Sequence, residues 1–120
     1  MIRIKMDTNH LKLTVQGHAM PDESAAYKEI CSASSALAQA MVYAVTRYKD
    51  GATLNELDYR PDTGDLMVHM FAEEGFEEQM RRIWEVYGYG MELLAQSHPQ
   101  CVEMIWDGAK VLPNEEVRRA

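Results

Sequence analysis

Residues 30–48 read Ile-Cys-Ser-Ala-Ser-Ser-Ala-Leu-Ala-Gln-Ala-Met-Val-Tyr-Ala-Val-Thr-Arg-Tyr and decide the fold. The spacing of three and four residues predicts a helix. Its apolar stripe consists of Ile30, Ala33, Leu37, Met41, Ala44 and Tyr48. The other faces are also apolar, with Ala36, Ala38, Ala40, Val42 and Val45. A helix that is apolar most of the way round is expected inside a structure, covered on more than one side.

Alternating segments flank this helix on both sides. Residues 1–6 and 11–16 alternate apolar and polar side chains and predict a hairpin. After the helix, residues 53–60 and 66–70 predict two more strands, joined by a turn rich in Pro, Asp and Gly. A second amphipathic helix is expected at about 74–97, where Gly88 and Gly90 weaken it or permit a close crossing. The last strand is expected at 100–107.

The predicted order is therefore ββαββαβ, an α+β fold. We expect a mostly antiparallel sheet with one long central helix and a second flanking helix. The chain has 120 residues, of which 47% are hydrophobic and 26% charged, which suits one globular domain. We place that domain at 1–108 and a polar C-terminal tail at 109–120. The nine methionines fall mostly on apolar stripes and are expected to fill the core.

The formal net charge of −7 restricts the classes of partner. It argues against a surface that neutralises the phosphates of a nucleic acid, so we expect no direct nucleic-acid binding. It suits a basic protein partner. Two cysteines without a CxxC motif, and no recognisable signal peptide, indicate a reducing, cytoplasmic location. Apolar runs are too short for a membrane helix, so no membrane partner is expected.

Gly17-His18 ends the first hairpin, and Cys31 follows His18 by thirteen residues at the expected start of the long helix. A thiol attacks a carbonyl only as the thiolate. The free N–H groups of a helix start favour an anion, and an imidazole can take the thiol proton and later return it. Gly17 permits close backbone approach, while Ser34 and Ser35 share the helical face of Cys31. These residues predict a Cys-His peptidase site.

A second interpretation is that Cys31 only packs in the core and has no catalytic role. Free cysteines in helices usually only pack, and Cys101 is expected in the core. His10, His69 and His98 are scattered over a turn, a strand and a helix end, without the spacing of a zinc set, so no metal is expected. Residues 19–29 are compatible with a mobile loop or with an earlier helix start, which would place Cys31 further inside the helix.

The two-part motif also carries a family resemblance. Val15-Gln16-Gly17-His18-Ala19, followed by Ile30-Cys31-Ser32-Ala33-Ser34-Ser35-Ala36-Leu37, resembles the Prp family, the ribosomal-processing cysteine proteases of bacteria. Gly90-Met91-Glu92-Leu93-Leu94 and His98-Pro99-Gln100-Cys101-Val102 resemble the family's last helix and strand. The chain departs from the family in Tyr27-Lys28-Glu29-Ile30, where a glycine is usual, and in Ser32, where alanine is usual.

The resemblance implies a mechanism and partners. His18 would be the general base, Cys31 the nucleophile, and Ser35 the family's serine beside the cysteine. The substrate would be a precursor of the twenty-seventh bacterial large-subunit ribosomal protein, which loses its N-terminal extension. The resemblance also implies a homodimer and no cofactor. Two alternatives remain, namely a non-catalytic acidic dimeric module that binds a basic ribosomal or phage protein, and a phage-borne peptidase with another substrate.

Overall fold

The computed structural model describes residues 1–17, 25–47, 51–60 and 65–113. In these ranges the chain forms two helices, α1 (Ala25–Arg47) and α2 (Glu77–Ser97). The strands are β1 (Ile2–Asp7), β2 (Lys12–Gln16), β3 (Ala52–Arg60), β4 (Asp65–Ala72), β5 (Val102–Trp106) and β6 (Ala109–Lys110). The predicted α+β class is confirmed, and the short β6 extends the predicted order to ββαββαββ.

The strands of the described chain form one sheet in the order β3-β4-β2-β1-β5-β6. Four neighbouring pairs are antiparallel, as the hairpins predict. The pair of β1 and β5 is parallel, with Ile4 opposite Met104. A parallel pair needs a long connection, and nearly the whole domain lies between these two strands. The sheet is therefore mixed but mostly antiparallel.

One face of the sheet carries the core. Its inward side chains are almost fully buried, and they are Ile2, Ile4, Met6, Leu13, Val15, Leu66, Val68, Met70, Val102 and Met104. The opposite face is largely polar, with Arg3, Lys5 and Lys12 exposed. Both helices cover the apolar face, because period-2 alternation leaves the sheet only one side to bury. The expected role of the methionines is confirmed, since six of them are buried: Met6, Met41, Met70, Met80, Met91 and Met104.

Each helix buries only one stripe. In α2 the stripe is Met80, Trp84, Gly88, Met91 and Ala95. In α1 the buried residues are Ile30, Ser34, Ala38 and Met41. Ala36, Ala40 and Tyr43 on the far side of α1 are exposed, so the expectation of a helix covered on more than one side is wrong for the single chain. The reason is that α1 and α2 share one layer on the sheet, which leaves their outer faces to solvent.

Gly88 allows α2 to lie very close to the sheet. A Cβ at this position would be 2.8 Å from Cζ2 of Trp106 and 2.9 Å from Sδ of Met6. The Trp106 ring is held in place from its other edge, where Nε1 donates to Oγ1 of buried Thr8 at 2.7 Å. The close crossing predicted from this glycine is therefore confirmed, and it joins α2 to β1 and β5.

Some boundaries differ from the sequence prediction. Helix α1 begins at Ala25 rather than Ile30. Helix α2 begins at Glu77, three residues later than expected, because Gly75 has a φ of +88° that no helix residue adopts. Strand β6 follows Gly108, and residues 114–120 lie outside the described ranges, so the domain and tail bounds stay a prediction. Neither helix of the described chain combines the length and apolarity needed to cross a membrane.

Candidate functional site

Cys31 lies at the border between core and solvent. Its side chain is partly exposed and packs against the hydrophobic core from α1. Cys101, by contrast, is completely buried in the turn that leads into β5, where its amide donates to the carbonyl of His98. The prediction of Cys101 as a core residue is confirmed. Of the two thiols, only Cys31 is therefore within reach of a molecule in solvent.

The start of α1 changes the electrostatics expected at Cys31. Six residues of helix precede it, from Ala25 to Ile30, so Cys31 lies near the end of the second turn. The free N–H groups and the dipole effect of a helix start act within the first turn. The placement of Cys31 at a helix mouth is therefore wrong, and the alternative of an earlier helix start is correct.

Ser34 and Ser35 lie one turn beyond Cys31, but their surroundings differ. Ser34 is only 3% exposed, and its hydroxyl donates to the carbonyl oxygen of Cys31 at 3.0 Å. The hydroxyl proton is thus used on the helix backbone, while its oxygen can still accept a hydrogen bond. Ser35 is half-buried. The hydrogen bond of Ser34 is therefore made to the backbone of Cys31.

Gly17 directly follows β2 and has a backbone conformation that needs glycine. Its φ is +87°, and a Cβ here would be 2.5 Å from the carbonyl oxygen of Met1. Its amide donates a hydrogen bond of 2.9 Å to Oδ1 of Asp65, which is the first residue of β4. The hydrogen bond to Asp65 and the lack of room for a Cβ therefore restrain the chain immediately before His18. His18 itself lies outside the described residues, as does the segment to residue 24.

Asp65 is a residue that sequence reasoning did not assign to the site. The sequence places Asp65 only in the turn between the two strands predicted at 53–60 and 66–70. Its role depends on the pairing of β2 with β4, which sets Val15 opposite Leu66 and so brings Gly17 next to Asp65. These two residues are 48 positions apart. No local sequence signal indicates that contact.

The remaining histidines of the described chain are spread over the molecule, as predicted. Nδ1 of His10 lies 2.8 Å from Oδ2 of Asp7 in the β1–β2 turn. Partial burial opposes ionisation of Asp7, but hydrogen bonds from the amide and ring of His10 outweigh it and lower the pKa of Asp7. His69 lies on β4 and His98 caps the end of α2. Across the described ranges, no three His, Cys, Asp or Glu side chains are grouped to hold a metal ion.

Comparison with known proteins supports the fold. No protein-family model matches the sequence, and no curated protein matches it. The structure is similar to the essential ribosomal processing protease Prp from S. aureus, crystallised with a substrate peptide, with a TM-score of 0.70 and 10% identity over 88% of this chain and 99% of that one. It is also similar to SMU.848 from Streptococcus mutans, with a TM-score of 0.62 and 20% identity over 88% and 90% of the two chains. The chain therefore has the fold of the Prp protease.

Proposed function

We propose that this protein is a cysteine endopeptidase in which Cys31 is the nucleophile and His18 the general base. The observation that carries the proposal is the partly exposed thiol of Cys31 on the core helix of a Prp-like fold. Gly17 supports it, because its hydrogen bond to Asp65 restrains the chain directly before His18. The proposed location is the cytoplasm, and no cofactor takes part.

The chemistry proceeds in two displacements. The imidazole of His18 takes the proton of the Cys31 thiol, and the thiolate attacks the scissile carbonyl carbon. The imidazolium returns the proton to the departing amine, which leaves an acyl-enzyme. Water, deprotonated by the same imidazole, then attacks the thioester and releases the acid. Because Cys31 lies beyond the first turn of α1, the helix dipole adds little to thiol deprotonation, and His18 is the proton acceptor in this scheme.

The proposed substrate is the precursor of the twenty-seventh large-subunit ribosomal protein with its N-terminal extension. A chain of net charge −7 suits a basic partner of this kind. The test is to incubate the two proteins and to measure the mass of the precursor. We expect a shortened product with the wild type and none with Cys31→Ala. Cys101→Ala is the matched control, since it removes the buried thiol and should keep cleavage wherever it folds.

A rate measurement isolates the role of His18. Accessibility alone makes Cys31 react faster with iodoacetamide than buried Cys101 does. The informative comparison is therefore between wild type and His18→Ala at neutral pH, with the alkylated residue identified by mass spectrometry. We expect the variant to alkylate Cys31 more slowly, because its thiolate fraction is no longer raised by the imidazole. Equal rates in two folded proteins would contradict the proposed Cys-His pair.

The second candidate is a non-catalytic acidic module that binds a basic ribosomal or phage protein. The position of Cys31 inside α1, away from the helix start, favours it. In the mass measurement this candidate predicts a complex in which the precursor keeps its full length. Cleavage of a phage structural protein instead of the ribosomal precursor would identify the retargeted peptidase.

We include a homodimer in the proposed function, and the outer faces of the helices support it. Val86, Tyr89 and Leu93 follow the helical period on α2 and are 66%, 55% and 63% exposed. Tyr43 on α1 is 60% exposed in the same layer. Exposed apolar side chains that line one face of a helix are a candidate protein interface.

The oligomeric state can be measured by sedimentation velocity. We expect a dimer for the wild type and a monomer for Leu93→Glu, because a carboxylate on the helix face would be buried unpaired in the interface. Phe71→Glu is the control, since Phe71 is 55% exposed but lies on the opposite face of the sheet. A wild-type monomer at all concentrations would exclude the dimer.

A further inference from the structure

The open face of the sheet carries a groove at the end of β2 where the proposed site begins. It has a volume of about 390 Å³ and spans β2, β3 and β4. Its side chains on this face are those of Thr14, Gln16, Asp58, Arg60, Asp65 and Met67. Gln16 directly precedes Gly17, whose amide donates to the Asp65 carboxylate. The groove is thus continuous with the turn that leads to His18.

The strand register explains why these side chains share one groove. Thr14 and Asp58 both pair with Met67, and Arg60 pairs with Asp65. Paired residues of neighbouring strands point to the same side of a sheet, so all of them face away from the helix layer. The partly buried thioether of Met67 forms an apolar floor between polar walls.

The charges of the groove select the kind of side chain that fits. Two carboxylates, Asp58 and Asp65, face one guanidinium, Arg60, so the groove has a net charge of −1 from these three groups. Nη2 of Arg60 lies 3.6 Å from Oδ2 of Asp58, and both side chains are more than half exposed, so a second cation can approach the same carboxylate. An aliphatic stem can lie on Met67 while an ammonium or guanidinium reaches the carboxylates.

The geometry points to a subsite for a lysine or arginine side chain of a peptide. This inference rests on the proposed peptidase function and names the class of peptide it takes. Arg47 ends α1 only five positions before Ala52, which begins β3 at the end far from Arg60. The long helix therefore starts toward the Gly17 end of the sheet, and Cys31 and the groove lie toward the same end. An extended chain covers about 3.3 Å per residue, so a peptide can pass round the strand ends from one face to the other. The basic residue is then several positions from the bond that is cut.

The test is an NMR titration of the full chain carrying Cys31→Ala, which prevents turnover. The probes are three capped tripeptides, acetyl-Gly-X-Gly-amide, in which X is lysine, norleucine or glutamate. The amide of Gly17 is the main reporter, because its hydrogen-bond acceptor is a carboxylate of the groove. We expect saturable shifts at Gly17, Gln16 and Met67 with the lysine peptide, and much weaker shifts with norleucine and glutamate.

Variants assign the shifts to the groove. Asp58→Asn should weaken the lysine peptide about two- to fivefold, the range of a partly exposed ion pair. Glu74→Gln is the matched control, since Glu74 is an exposed carboxylate beyond the opposite end of β4, and should leave binding unchanged. Equal shifts with lysine and norleucine, tighter binding of glutamate, or no saturable shift at Gly17 would each overturn the inference.

The two proposals can fail separately. If the ribosomal precursor stays uncut while lysine binds the groove, the peptidase proposal is wrong and the subsite remains. If the precursor is cut but the titration shows no preference for lysine, the subsite is wrong and the peptidase remains.

Discussion

Two glycines of α2 offer a direct test of how tightly the helix lies on the sheet. Gly88 and Gly90 are both inside the helix, so replacing either by alanine raises helix propensity by the same amount, about 1 kcal/mol. Their surroundings differ. The new methyl group at Gly88 would be 2.8 Å from the Trp106 ring, while at Gly90 it would be 3.0 Å from a terminal carbon of Leu37.

The stability change of each alanine variant depends on how easily the neighbouring side chain can move. The methyl ends of Leu37 can shift by a few tenths of an ångström with little cost, so Gly90→Ala should be neutral or stabilising. Trp106 is held by Thr8 on one side and by Tyr89, at 5.3 Å between ring centroids, on another. Overpacking against a fixed ring costs about 1–3 kcal/mol. Since the propensity gain cancels in the comparison, we expect Gly88→Ala to be less stable than Gly90→Ala by about 1–3 kcal/mol.

The assay is urea unfolding followed by far-UV circular dichroism, which avoids the fluorescence of the tryptophan being crowded. A common m-value for the two variants would show that only stability differs. Trp106→Phe supplies a further control, because it removes the ring atoms nearest Gly88, so the cost of Gly88→Ala should fall in that background. Equal stability of the two alanine variants, or a higher stability of Gly88→Ala, would refute the close contact between α2 and the sheet.

Three further predictions concern stability. Thr8→Val should lower the free energy of unfolding by about 1–2 kcal/mol, because it leaves the indole N–H of Trp106 without its acceptor, and urea unfolding measures this loss. Met41→Ala should cost about 2–5 kcal/mol in the same assay, since the fully buried side chain of Met41 would leave a cavity in the core. Asp7→Asn should change how the stability of the fold depends on pH. The folded pKa of Asp7 lies below its ordinary value of 3.8. Its carboxylate therefore contributes stability above pH 3.8, and this contribution is lost as the pH falls through the folded pKa. The difference in melting temperature between wild type and Asp7→Asn should therefore shrink as the pH falls below 3.8, whereas a difference that persists unchanged to the lowest pH would contradict the Asp7–His10 contact.

The candidate site was only partly readable from local sequence. Cys31 stands out because a thiol follows a Gly-His step at a spacing that a loop can close. The structure shows this residue partly exposed, and its catalytic role stays a prediction. The start of α1 was ambiguous, since residues 19–29 contain both helix formers and turn formers. In the structure the helix begins at Ala25, so Cys31 lies beyond the first turn, where the helix dipole acts. Asp65 could not be found, because only strand pairing brings it to Gly17.

Local sequence patterns predicted both helices and five of the six strands of the described chain, with β6 and the starts of both helices missed. Periodicity made them predictable: side chains alternate in 2–7 and 12–16 and follow the helical period in 77–97. Such a pattern can be recognised within one element, because it depends only on which side of that element is apolar. Tertiary structure decided the parallel pairing of β1 with β5, the sharing of one layer by both helices, and the contact of Gly88 with Trp106. These features join residues far apart in the chain, and their energies arise only when complementary surfaces pack together.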